Sequence, residues 1–230
     1  MNVGWLPKDS IAQSAFDLLK GYEELIGREV LPPIPIEEII ERYLGLNLSF
    51  EDLETKLGIE DVLGATYVKT KRICINEKLL LQDKNEGRLM FTCAHEAGHW
   101  VLHRNYVEQA QRSGQCAEGI VCRTRNSKLP IEWQADYFAS CLLMPEQEVK
   151  RAFSRVWNEE EMVLHNVKSR LGGTAVCVDP CVQNWPFIAD AVREAGGFGN
   201  VSKEATIIRL RELGLVVNKT DACMGWRKTA

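Results

Sequence analysis

From residue 10 to residue 26 apolar side chains return every three or four positions: Ile11, Ala15, Leu18, Tyr22 and Leu25, with Leu19 and Ile26 widening the stripe. That repeat predicts an amphipathic helix, with Asp9 or Ser10 as its cap. The run Leu31-Pro32-Pro33-Ile34-Pro35 keeps the chain out of helix, and a second helix begins over Ile36 to Tyr43. Short strands are then expected at Leu46 to Phe50, Gly64 to Val68 and Arg72 to Asn76, the last alternating Ile73 and Ile75 with other residues.

The pattern next lengthens to a helix from about Glu86 to His103. A polar segment from Arg104 to Lys128 holds one strand-like piece, Ile120 to Arg123, and is too long for a simple connector. Pro130 opens a further helix through Leu143, stopped at Met144-Pro145. Helices are expected over 146–157, 159–170, 186–195 and 203–213, interrupted between Gly172 and Asn184.

Composition changes this picture little. The chain has 230 residues, 45% hydrophobic and 26% charged, with a net charge of −4, as an ordinary globular protein does. That balance gives no sign of a general nucleic-acid binder. The first ten residues lack the apolar core of a signal peptide, and no window approaches the roughly 18 apolar residues of a membrane span. A cytoplasmic protein is therefore expected, and its eight cysteines are expected to be reduced thiols. Cys74, Cys93 and Cys141 read as small core residues, while Cys116/Cys122 and Cys177/Cys181 lack the spacing of common zinc knuckles.

Three of the four histidines fall at 95, 99 and 103. His95 and His99 are four apart on a helix, so both imidazoles project from one face and can reach one zinc ion. Glu96 lies beside them, placed to act as a base on water rather than as a ligand. On the next helix Glu132 and Asp136 are also four apart. Glu132 can supply the third ligand, and Asp136 can accept the outer ring N–H of a ligating histidine and fix its tautomer. His103 is eight residues from His95, about 12 Å along the axis, too far to share the metal, and reads as structural. The longer metzincin pattern is absent, with Leu102 and Asn105 where glycine and histidine would stand. Gly98, unfavourable inside a helix, is explained by close approach of the Glu132 helix.

At these motifs the chain resembles the ImmA/IrrE family of metallopeptidases. The resemblance is carried by Ile73-Cys-Ile-Asn76, by Arg88-Leu-Met-Phe-Thr-Cys-Ala-His-Glu-Ala-Gly-His-Trp-Val-Leu-His103 and by Glu132-Trp-Gln-Ala-Asp-Tyr-Phe-Ala-Ser-Cys-Leu-Leu-Met-Pro145. Val201 to Gly214 is similar to the helix-turn-helix-like element that follows the peptidase domain in such proteins. The resemblance implies an α+β fold, with a zincin-like domain over 1–145 and a helical region over 146–230. It implies zinc held by His95, His99 and Glu132, Glu96 as catalytic base, and a helix-turn-helix repressor as the cleaved partner. The insertion at 172–184, with Cys177 and Cys181, departs from the family pattern.

For substrate binding, Ile73 and Ile75 are the candidates, if their strand lies at a sheet edge and pairs with an extended peptide. Tyr67, Tyr106 and His165 are candidates for stabilising an oxyanion. Two other readings stand beside the enzyme. One is a DNA-binding regulator using 186–214, with Lys203, Arg209 and Arg211 on a helix capped by Ser202. The other is a silent module that grips a repressor around a structural metal.

Overall fold

The computed structural model describes residues 3–81, 86–112, 120–123, 129–158, 160–164 and 185–218. The fold is α+β, and the chain divides into two compact units. The first spans Met1–Pro145 with Phe198–Val201; the second spans Glu146–Gly197 and Ser202–Ala230.

The first unit opens with α1 (Lys8–Ile26), which buries Ile11, Ala15, Leu18, Leu19 and Tyr22. Its N-cap is Pro7, with no side-chain cap, so the expected capping by Asp9 or Ser10 is corrected: both already lie inside the first turn. Leu25 is exposed, because the stripe turns away from the core before the helix ends at Gly27, φ 69°. α2 (Ile36–Glu38) runs into a π turn over Ile39–Tyr43. A short α3 (Leu53–Leu57), unanticipated, is capped by Asp52 accepting from the Thr55 N–H at 3.1 Å.

Four strands form one sheet: β1 (Asn47–Glu51), β2 (Val62–Tyr67), β3 (Arg72–Asn76) and β4 (Ile120–Arg123), in the order β1-β3-β2-β4. β3 runs parallel to β1 and antiparallel to β2, and β2 runs antiparallel to β4. Ile73 pairs with Thr66 and Ile75 with Gly64, so these four side-chain positions share one face. Val62, Ala65 and Cys74 pack with Leu53 in a second cluster that takes in Tyr67 and Val121.

α4 (Glu86–Arg112) lies against β2 and β3, and α5 (Pro130–Leu143) packs on both α4 and α1. α4 continues nine residues beyond the expected end at His103, absorbing the first part of the supposed polar loop. α5 buries Glu132, Gln134, Ala135 and Phe138 to Leu143, while Ile131, Trp133, Asp136 and Tyr137 are half-buried. The polar members of its buried side need partners.

In the second unit α6 (Glu146–Val156), α7 (Trp185–Gly196) and α8 (Lys203–Glu212) are joined by a parallel strand pair. The pair comprises β5 (Met162–Leu164) and β6 (Val216–Asn218). Met162–Leu164 was expected inside a helix over 159–170; instead this apolar triplet pairs with Val216–Asn218. Ser202 caps α8, accepting from the Ala205 N–H at 3.1 Å. Arg209 is 3% exposed and Lys203 is paired with Asp190, while Arg211 is exposed. The 172–184 insertion, with Cys177 and Cys181, and His165 lie outside the described residues. Among the described residues no helix is long and apolar enough to cross a membrane.

Candidate metal centre

The approach of α5 to α4 is set by Gly98. A Cβ there would stand 3.0 Å from Phe138 Cδ1 and 3.3 Å from the backbone of Ala135, tighter than nine in ten such contacts. Without a side chain at 98 the two helices close together, and this brings Glu132 and Asp136 over His95 and His99.

The Glu132 carboxylate spans the two imidazoles. Oε2 lies 3.3 Å from His95 Nε2 and Oε1 lies 3.6 Å from His99 Nε2. Both separations exceed a well-formed N–H···O bond, and both Nε2 atoms are buried with no hydrogen-bond partner. Around a tetrahedral zinc, with ligand bonds of 2.0–2.2 Å, donor atoms stand about 3.4 Å apart. The spacing therefore fits a cation between them better than it fits direct hydrogen bonds, and His95, His99 and Glu132 could hold one.

The outer nitrogens are fully engaged. His95 Nδ1 is 2.8 Å from Asp136 Oδ1, the placement the spacing of Glu132 and Asp136 anticipated. His99 Nδ1 lies 3.1 Å from His103 Nδ1, and His103 Nε2 lies 2.9 Å from Gln134 Oε1. Gln134 in turn donates from Nε2 to the Gly4 carbonyl at 3.1 Å. His103 is thus structural as expected, but it acts on His99 through its ring. Gln134 was missed, because nothing short of its position on the inner face of α5 distinguishes it from any glutamine.

Glu96 is fully buried. The Thr66 hydroxyl donates to Oε2 at 2.6 Å, while Oε1 has no partner. The carboxylate lies against Gly64 on β2: a Cβ there would stand 2.6 Å from Oε1. Burial raises the Glu96 carboxyl to about 7, with the His95 charge and the Thr66 bond pulling back.

Burial disfavours the His95 cation, yet Cys122, Asp136 and Glu132 outweigh it and raise this imidazole well above its ordinary value. His99 is lowered to about 3, chiefly by burial. Burial would raise Glu132, but the two imidazoles hold it at about 2. The site is a buried carboxylate facing two imidazoles, a pocket that attracts positive charge.

Cys122 is the residue that sequence reasoning did not place here. Its Sγ and one ligand atom each of His95 and Glu132 lie within 4.8 Å of one another. Burial raises its thiol to about 11, against the pull of His95. Only its pairing with Gly64 across β4 and β2 brings it to the site, and that register is not visible in the local pattern Ile120-Val121-Cys122.

Other expectations are corrected. β3 lies between β1 and β2, so it has no free edge, and Ile73 and Ile75 are fully buried. They are core residues and cannot hold a peptide by strand addition. Tyr67 packs with the Leu53 cluster and beneath Arg72, so it is not placed as an oxyanion group, and the Tyr106 hydroxyl lies beside Gly4.

Residues 42–179, more than half of the chain, match the family model described as the IrrE N-terminal-like domain, a peptidase family. A comparison with curated proteins finds no match. A helix carrying two histidines and a glutamate against a small mixed sheet is the arrangement the resemblance led us to expect, and the match in residues 42–179 places the chain in the IrrE N-terminal-like family of zincin-like, metal-dependent peptidases.

Proposed function

We propose that the protein is a zinc-dependent metallo-endopeptidase, with His95, His99 and Glu132 as metal ligands and Glu96 as catalytic base. Its substrate in this reading is a helix-turn-helix repressor, cleaved to relieve repression of stress, phage or mobile-element genes. Two imidazoles and one carboxylate form the donor set of a catalytic zinc, leaving a fourth position for chemistry. When bound, the metal supplies Lewis-acid polarisation and an activated water.

The observation that carries the reading is the unpartnered oxygen of Glu96. A buried carboxylate is costly to leave unsatisfied, and a purely structural metal site has no need of one beside it. Glu96 takes a proton from the attacking water and returns it to the leaving amine. Thr66 fixes one carboxylate oxygen, leaving the other for this transfer. Asp136 and His103 orient the two imidazoles from behind. β4, paired on one side by β2 among the described residues, offers the edge along which an extended peptide aligns.

The test is Glu96→Gln, assayed for zinc content and for cleavage of the helix-turn-helix repressor encoded beside its gene. Zinc is retained and cleavage is lost. Unchanged cleavage excludes Glu96 as the base, and a protein without zinc excludes the ligand set.

A further inference from the structure

We propose that Cys122 is a fourth protein ligand of the metal, whose thiolate closes the site in the resting protein and holds the peptidase latent. The inference rests on the metal site proposed above and adds to it a device for keeping that site inactive.

The placement is built by the sheet. Cys122 pairs with Gly64, so its side chain shares a face with the Gly64 and Thr66 positions that frame Glu96. The pairing of β4 with β2 shifts register between Val62 and Gly64, beside this residue. Such irregularities re-aim side chains next to functional sites. Cys122 is buried, and it faces His95, whose Nε2 is also buried and has no hydrogen-bond partner. The thiol sulfur lies within 4.8 Å of donor atoms on both His95 and Glu132. In a tetrahedral zinc site a sulfur stands about 3.6 Å from its nitrogen and oxygen neighbours. Closure of about 1.2 Å at most therefore brings the sulfur to ligand spacing from these two donors.

The thiol's residue pairs with Gly64, and the Glu96 carboxylate lies against that same glycine, so sulfur and base share one side of the site. That is the place an attacking water occupies between base and metal. A thiolate is a softer and stronger donor to zinc than water, so the two compete for one position, and the thiolate wins at rest. The lock is releasable because β4 is an edge strand among the described residues, paired only with β2. A peptide adding to that edge has leverage on the strand that carries the sulfur. Cys74 and Cys93 are also buried, and neither shares a metal-ligand group, so burial alone does not account for Cys122.

The experiment is X-ray absorption of the zinc-loaded full chain, with the optical spectrum of the cobalt-substituted protein, on wild type, Cys122→Ser and Cys122→Ala. Wild type shows one sulfur at about 2.3 Å and a thiolate-to-cobalt charge-transfer band, and both vanish in the variants. Casein hydrolysis rises several-fold in Cys122→Ser. A wild-type shell of nitrogen and oxygen only overturns the inference while leaving the proposed metal site standing. A protein that binds no metal overturns both. Sulfur ligation with no gain of hydrolysis in Cys122→Ser overturns the latency and marks the site as permanently closed. The wild-type spectra decide the ligation even if neither variant folds.

Discussion

His99 Nδ1 and His103 Nδ1 lie 3.1 Å apart, so one of two like nitrogens carries the proton between them. The direction is fixed further along. Gln134 Nε2 donates to the Gly4 carbonyl, which turns Oε1 toward His103 Nε2. His103 therefore carries its proton on Nε2 and accepts on Nδ1. His99 donates from Nδ1, and its Nε2 is left with a lone pair facing Glu132. These proton positions follow from the network of acceptors. Asp136 does the same for His95 in a single step.

Breaking the longer relay tests its role. Gln134→Leu removes the acceptor that orients His103, and hence His99, without touching either metal-facing nitrogen. Zinc affinity is expected to fall roughly 10–100-fold, as for other supporting groups behind a metal ligand. Competition against a chelator reads this directly, and circular dichroism checks that the fold is kept. Affinity equal to wild type would show that the relay does not set the tautomer.

Gly64→Ala separates the base from the metal. The added Cβ stands 2.6 Å from Glu96 Oε1 and 2.9 Å from its Cδ, so the carboxylate must shift. The three atoms nearest the added Cβ all belong to Glu96 and none to His95, His99 or Glu132. Zinc content should therefore stay near wild type, while kcat falls by roughly the 10²–10⁴-fold that general-base catalysis contributes. Loss of zinc together with activity would mean instead that the sheet had moved. Thr66→Val, which removes the 2.6 Å bond to Oε2, should lower activity in the same direction by a smaller factor.

Much of the proposed site was legible because ligation on a helix obeys a local rule. His95 with His99, and Glu132 with Asp136, need only a spacing of four and two helices that meet. Gly98 marked where they meet, and the contact with Ala135 and Phe138 agrees. What failed was what depends on strand pairing between distant segments. Whether Ile73 and Ile75 lie at a sheet edge is not legible, because alternation says which face a side chain takes but not which strands flank it. Cys122 was passed over for the same reason, since only the β4–β2 register carries it to His95. Met162–Leu164 was read as helix because its strand partner lies more than fifty residues on, at Val216–Asn218. Apolar triplets do not declare their partners.

Removing the metal should cost stability. Glu132 sits beside two buried imidazoles at distances too long for good hydrogen bonds. A ligand that binds only the folded state stabilises it by about 2.7 kcal/mol at 100 times its Kd. Thermal melts should thus show a clear rise in Tm on adding zinc to chelator-treated protein. In Glu132→Ala that rise should shrink or vanish. A full zinc-induced shift in the variant would remove Glu132 from the ligand set.

Acid sensitivity in the sheet should trace in part to Glu51 at the end of β1. Its carboxylate pairs with Lys56 and, at 3.1 Å, with Arg72 on β3. The Lys56 bond, helped by Arg72 and opposed by burial, holds its pKa below the ordinary carboxylate value. A carboxyl whose folded pKa is depressed stabilises the fold above its unfolded pKa, and that contribution is lost as pH falls through the folded pKa. Glu51→Gln should therefore be less stable than wild type at neutral pH, by no more than about 1 kcal/mol for a partly exposed pair. The two proteins should converge at acid pH once the wild-type carboxylate is protonated. Urea melts at a series of pH values measure the difference, and a gap that stayed constant down to acid pH would assign the loss to packing rather than to charge.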